Sequence, residues 1–574
     1  MRARSSRLRR WLRLMRASRA SPFGFLISNF KFRPPLLVLA AALSSLPAAR
    51  AQPPAPAERV ISADFNEIAG PKSTVYRRCV GAGRLAEGLR ADWQEQLLEC
   101  KQAIGFEYLR CHGLLQDELG VYSEDPKGNP VYNWQYIDMV YDYLLSIGVR
   151  PFVEIGFMPQ ALASVKSDPA AAPAGAKLSP PAFWWKANVT APKSWDRWDG
   201  LISALVRHWT ERYGAEEVRR WYFEIWNEPN YPYFFHPVRE ATRRDEYFTM
   251  YAHTARAVKA VDGAYRVGGP ASAGPAWIPE LIGYCAGNKL PLDFISFHSY
   301  GLGDGPGGDD ETGQKRLYLN RDLDAVSEAV HSQDAAIHRS AMPNLPVHIT
   351  EWSASYSNFD PVHDSYFEAP YILEQLKKTE TAGSMSYWTF TDIFEEAGPP
   401  KTPFEGGFGL INLQGIKKAA FFAFQFMNRL GDTELRDSDS QSWVCRDKSG
   451  GVQVLLYDLT DPRGPDAVPD RTVFRHILVP KAKPPATIHV SSVPTGSYHL
   501  AIYRIGLQEN DAYSEYLKMG APRQLTARQV QHLKALAGGA PVEEQDTRID
   551  ESNLWERSIP MRDNEVVLVT LERK

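Results

Sequence analysis

The stretch WYFEIWNEPN, Trp221 to Asn230, begins with alternating bulky residues and stops abruptly on Asn227-Glu228-Pro229. Alternation of this kind is the pattern of a β-strand, whose successive side chains point to opposite faces. A strand that ends on a carboxylate is unusual. What that carboxylate does depends on the sheet that carries it.

Seven similar stretches recur along the chain: 77–84, 106–115, 150–159, 265–273, 293–301, 346–355 and 383–392. Helix-patterned segments lie between them, for example 89–105, 194–214 and 239–261. Strands that alternate with helices call for parallel pairing, and eight such units close into a (β/α)8 TIM barrel, with an open doubly wound sheet as the alternative. No strand is followed by a GxGxxG or GxxxxGK[ST] phosphate loop, so a nucleotide cofactor is not signalled. After 408–431 the rhythm changes. Segments 443–459, 497–506 and 564–571 alternate around Gly-rich turns, with an extended connection at 460–488 and a helix at 526–538. This reads as an accessory antiparallel β domain. The expected division is 1–51 as a signal peptide, 52–75 as a leading segment, 76–432 as the barrel and 433–574 as the β-rich domain.

The 574 residues are 44% hydrophobic and 23% charged, as in a globular protein. Residues 1–51 differ, with eleven Lys/Arg, no acid, an apolar run from Leu36 to Leu46 and small residues before Gln52. That is the pattern of a secretory signal cleaved after Ala51, and its apolar run is short for a bilayer span. Export without stable membrane insertion is therefore expected. The rest of the chain then holds 54 Lys/Arg against 68 Asp/Glu. Such a surface repels nucleic acid and suits a neutral substrate. The five cysteines are widely spaced and include no CxxC. They signal no metal site, and at most one disulfide stays open.

In a (β/α)8 barrel the carboxyl ends of the strands form the active-site mouth. Glu228 ends the fourth strand and Glu351, in ITEW (349–352), ends the seventh. Two facing carboxyl groups are what glycoside cleavage needs: one protonates the leaving oxygen while the other attacks the anomeric carbon or activates water there. Asn227 can donate to the sugar 2-hydroxyl. Taken alone, Asn-Glu-Pro also suits the start of a helix.

Together with VGAGR (80–84), RCHGLLQDELGVY (110–122), IWNEPN (225–230), FHSYG (297–301), ITEW (349–352) and YWTFTDIFEE (387–396), the chain resembles glycoside hydrolase family 39, the β-xylosidase and α-L-iduronidase family. The resemblance continues through GGFGLINLQGIKKAAFFAF (406–424) and LQENDAYSEYLKMG (507–520). It implies Glu228 as acid/base, Glu351 as nucleophile and retention of configuration. It implies sugar contacts from His112, Asn227, His298 and Tyr300, a stacking floor at Trp388, an aromatic wall at Phe157 and carboxylates at Glu395 and Glu396. It also implies that 58–66 joins the C-terminal strands in a β-sandwich.

Without the resemblance, His112 could be a core histidine, Trp388 a barrel filler and Glu395-Glu396 a solvated charge run. The Trp184-Trp185 pair suits a subsite rim or a loop anchor equally. Cys111, Lys418 and Ala419 depart from the family pattern, and the acidic loop 301–313 leaves the sugar open. The expected activity is a retaining exo-β-xylosidase acting on short xylo-oligosaccharides without cofactor or metal. An iduronidase-like glycosidase and an inactive sugar-binding barrel are the alternatives. The oligomeric state is not legible.

Overall fold

The computed structural model describes residues 58–303, 318–393, 396–464 and 471–574. Eight parallel strands close into a barrel. We number them β1 (Cys79–Arg84), β2 (Tyr108–His112), β3 (Arg150–Ile155), β4 (Tyr222–Ile225), β5 (Arg266–Ser272), β6 (Phe294–Tyr300), β7 (Val347–Ser353) and β8 (Ser384–Tyr387). Each pairs with its neighbours in chain order, and Tyr387 of β8 pairs with Val80 of β1 to close the ring. Every strand is followed by a helix, from Ala91–Ile104 after β1 to Ala419–Asn428 after β8. The expected barrel is present. The helix expected from 239 starts later, at Arg243, because Thr242 caps it by accepting from Asp245 N at 3.1 Å.

Two-residue periodicity decides what fills the barrel. At its lower end Phe152, Tyr222, Phe294 and His348 pack as rings, with Phe152 and Tyr222 stacked at 4.8 Å. Two residues further along three of the strands, past Tyr108, Phe152 and Tyr222, the buried positions carry charged side chains: Arg110, Glu154 and Glu224. An aromatic plug below and ion-paired side chains above give the barrel an apolar floor and a polar mouth.

Apart from two short antiparallel pairs, Tyr122–Glu124 with Pro130–Tyr132 and Leu302–Gly303 with Tyr318–Leu319, the remaining strands form one continuous nine-stranded sheet. Arg59–Pro71 pairs antiparallel with Thr433–Asp437 and parallel with Ala482–Ser491, so the leading segment does join the C-terminal strands. That parallel pair departs from the all-antiparallel expectation. Within the extended connection at 460–488 the structure begins a strand, Ala482–Ser491, whose pattern was hidden by Pro484 and Pro485. Ile549 and Ile559, on the two outermost strands of the sheet, share one core, so the sheet folds over itself. Alternation again sorts the side chains: Val454 and Leu456 enter that core, while Leu455 and Tyr457 join the core of the barrel. All five cysteines are buried and unpaired, which closes the disulfide question left open above. No helix among the described residues is long and apolar enough to cross a membrane.

Candidate active site

Glu228 lies in the turn just beyond β4, in the left-handed region at φ 43°. A side chain there costs ~1–3 kcal/mol and needs its surroundings to hold it. They do. Glu228 N donates to Ala271 O at 2.8 Å, and the Asn230 amide pairs both ways with the Ala273 backbone, at 2.9 and 2.8 Å. The turn is thereby tied to the end of β5, which explains why Asn-Glu-Pro-Asn folds this way rather than opening a helix.

Glu351 stands within β7, where a register shift after Ile349 sets it opposite His298 of β6. One oxygen from each glutamate and a ring nitrogen of His298 lie within 4.8 Å of one another. His298 Nδ1 is 2.8 Å from Glu228 Oε1 and 3.3 Å from Glu351 Oε2. Burial holds His298 well below its usual pKa, helped by Arg110 and His112, so the ring is neutral. Its Nε2 has no partner among the described residues, which places the single proton on Nδ1 as donor to the carboxyl pair. Tyr300 Oη donates to Glu351 Oε2 at 2.8 Å.

Beneath the pair is Arg110, whose side chain has no exposed surface. Its Nη1 donates to Glu351 Oε1 at 2.8 Å, Nη2 to Asn227 Oδ1 at 2.9 Å, and Nε to Glu224 Oε2 at 2.5 Å. Nη2 is also 2.9 Å from Glu154 Oε2. Because Asn227 turns its oxygen to Arg110, its amide N–H groups face the other way, free to donate. His112 Nδ1 is 2.7 Å from Glu154 Oε2. Burial works against a charged His112, but Glu154 and then Glu351 outweigh it and raise its pKa.

These partners divide the proton unequally. Burial raises both glutamates. For Glu351 the cations Arg110 and His112 and the Tyr300 hydroxyl oppose that rise. Glu228 is raised well above the usual range by burial and then by the charges of Glu351 and Glu396. The proton therefore resides on Glu228 and the charge on Glu351. Glu228 is also the more accessible, its side chain 13% exposed against 6% for Glu351. The arrangement is a protonated carboxyl beside an ionised carboxylate.

Trp388 extends from the end of β8 against His112, ring centroids 4.7 Å apart, with the Arg110 guanidinium 5.8 Å from its ring. It lies across Gly81: a Cβ built on that glycine would sit 2.3 Å from Trp388 Cε3, which accounts for the glycine in VGAGR. Glu396 is half-buried near the pair, and desolvation pushes it up to about 7 against the opposing charge of His112. Glu395 lies outside the described residues. Phe157 is boxed in by His112, Phe183, Trp226 and Phe234, so it backs His112 rather than forming a free wall. In short, His112, Asn227, His298, Tyr300, Trp388 and Glu396 gather around the two glutamates.

Arg110, Glu154 and Glu224 were not singled out from the sequence. The signal was present, since Arg110 shares a strand face with His112 and a charge at an inward barrel position is costly unless paired.

The profile of glycosyl hydrolases family 39 matches residues 60–552. A β-xylosidase from Geobacillus stearothermophilus is 37% identical over 504 residues, 87% of this chain and 92% of the relative. A crystal structure of a GH39 enzyme from Xanthomonas axonopodis pv. citri superposes with a TM-score of 0.84 at 40% identity, covering 90% of this chain and 98% of that one. A monomeric β-xylosidase from Caulobacter crescentus CB15 gives 0.83 at 39%, covering 90% and 99%. A profile that spans the barrel and most of the accessory sheet, together with relatives matched over nearly their whole length, places this chain in glycosyl hydrolases family 39.

Proposed function

We propose that this protein is a retaining exo-β-xylosidase that removes xylose from short neutral xylo-oligosaccharides. The observation that carries the mechanism is the closeness of the two carboxyl groups, with oxygens within 4.8 Å. Retention needs a separation of about 5–5.5 Å, and inversion roughly 6.5–9.5 Å to admit water. In this reading Glu351 attacks the anomeric carbon and Glu228 protonates the departing oxygen. Esterification then removes the charge of Glu351, so Glu228 ionises more easily and takes a proton from the incoming water. The donor groups of Asn227, freed by its bond to Arg110, face the sugar, and Trp388 forms the floor.

The curated relative's activity supports xylose as the sugar. The electrostatics agree, since Arg110 is fully enclosed and already bonded to carboxylates. A guanidinium so committed is not available to a uronic acid, which weighs against an iduronide. Two intact, unequally protonated glutamates weigh against an inactive sugar-binding barrel. The basic and apolar run in residues 1–51, which lie outside the described residues, supports export.

A panel of nitrophenyl xyloside, arabinoside, glucoside and iduronide tests the substrate, with highest kcat/KM expected on the β-xyloside. Proton NMR of the first sugar released should show the β-anomer. Preferred cleavage of another glycoside, or first appearance of the α-anomer, would overturn the corresponding half of the reading.

A further inference from the structure

Among the described residues five aromatic side chains are exposed: Tyr136, Trp184, Tyr231, Tyr233 and Tyr356. Four of the five belong to loops at the barrel mouth, which is not how scattered surface rings distribute. Tyr356 follows Glu351, with its ring 6.2 Å from that of Tyr300. The other three stand on the side of Glu228. Tyr231 is three residues past Glu228, and its N–H donates to Glu228 O at 2.9 Å. Trp184, 55% exposed, comes from the loop after β3, and its N–H donates to Glu396 O at 2.8 Å.

Tyr231 and Tyr233 are held from beneath and remain exposed, and the exposed Trp184 ring lies against Gly398, where an added Cβ would sit 3.1 Å from its Cδ1. Phe183 and Phe234 are buried and pack on each other at 5.1 Å, and they form an under-layer. Tyr233 meets Phe234 at 5.1 Å, and its hydroxyl accepts from Phe183 N at 2.7 Å, which fixes its ring. Tyr231 meets Phe234 at 5.8 Å. Rigid, amphipathic rings lose little entropy when a ligand covers them.

We propose that Trp184, Tyr231 and Tyr233 form the platform on which the departing sugar of the oligosaccharide rests. The placement follows from the chemistry. Glu228 must reach the bridging oxygen, so the sugar attached to that oxygen leaves over the loop that directly follows Glu228. A β-xylopyranose with equatorial hydroxyls presents flat faces of axial C–H groups, which suit neutral aromatic rings. The platform sets preference for a sugar over other leaving groups, whereas the sugar being cleaved is gripped deeper, between Trp388, Asn227 and Glu396.

This deepens the β-xylosidase reading and rests on it. The test compares xylobiose with β-D-xylosyl fluoride, whose leaving group has no ring. In Tyr231→Ala and in Trp184→Ala, kcat/KM on xylobiose should fall about tenfold, while the fluoride stays within about twofold of wild type. Tyr231→Phe should keep both activities. No loss on xylobiose, or equal loss on both substrates, would overturn the platform alone. Failure of the wild type to turn over the fluoride would overturn the β-xylosidase reading and the platform with it.

Discussion

Arg110 and Glu351 meet inside the barrel, Nη1 to Oε1 at 2.8 Å, from strands β2 and β7, with the arginine side chain wholly enclosed and the glutamate 6% exposed. A cation that cannot exchange with solvent is a standing bias toward ionised Glu351. The same guanidinium holds Glu224, Glu154 and Asn227, so its geometry is determined from four sides.

Replacing Arg110 by Lys keeps the charge but loses the fork that serves several carboxylates at once. Weaker stabilisation of the carboxylate raises the pKa of Glu351, which in the proposed mechanism must be ionised to attack. The acid limb of kcat/KM should therefore move to higher pH, with kcat/KM at the optimum down about 100-fold. A pH profile of the variant reads this directly, and an unmoved acid limb would contradict the bias.

Glu228→Ala should still form the glycosyl-enzyme from an aryl xyloside whose leaving group needs no proton, and azide should then accelerate turnover and appear as glycosyl azide. Glu351→Ala should lose activity on activated and unactivated substrates alike. The wild type should show a bell-shaped kcat/KM, its basic limb set by loss of the proton from Glu228 well above the usual carboxyl range. Equal losses in the two variants, with no response to azide, would contradict these roles.

Gly81→Ala probes the floor. With its Cβ 2.3 Å from Trp388 Cε3, either the ring or β1 must shift. Overpacking of this kind destabilises by about 1–3 kcal/mol. Thermal unfolding should register that loss, and KM for the β-xyloside should rise as Trp388 tilts. An unchanged KM would mean that β1 rather than the ring gives way, or that Trp388 does not touch the sugar.

Burial pushes Glu368 up to about 8, although Ala354 N and Tyr387 Oη donate to it at 3.3 and 3.2 Å. A raised carboxyl favours the folded state while protonated, so its stability is intact below the unfolded pKa and is lost as pH rises toward the folded value. Glu368→Gln removes that dependence. Its advantage over wild type should be near zero around pH 4.5 and grow to about 4 kcal/mol by pH 8. Denaturant unfolding at the two pH values measures it, and a gap that shrinks with rising pH would reverse the sign.

The pattern WYFEIWNEPN and its seven counterparts are local facts, and they were enough to determine the barrel, since a two-residue period alternating with a helical one admits few layered arrangements. The same strand logic placed Glu228 and Glu351 at the mouth. The strand at Ala482–Ser491 was missed because its prolines look like a linker, and only pairing with the distant Arg59–Pro71 makes it a strand. What the tertiary structure alone decided is who touches whom across the barrel. Arg110, Glu154 and Glu224 lie on three different strands, 44 to 114 positions apart in sequence where hydrogen bonds or ion pairs join them. Trp184 reaches the backbone of Glu396 from a separate loop. Side-chain period reports which face a residue takes, but not the partner on the opposite wall. Because a buried charge is tolerable only with that partner, the proton on Glu228 and the charge on Glu351 emerge only once the ring has closed.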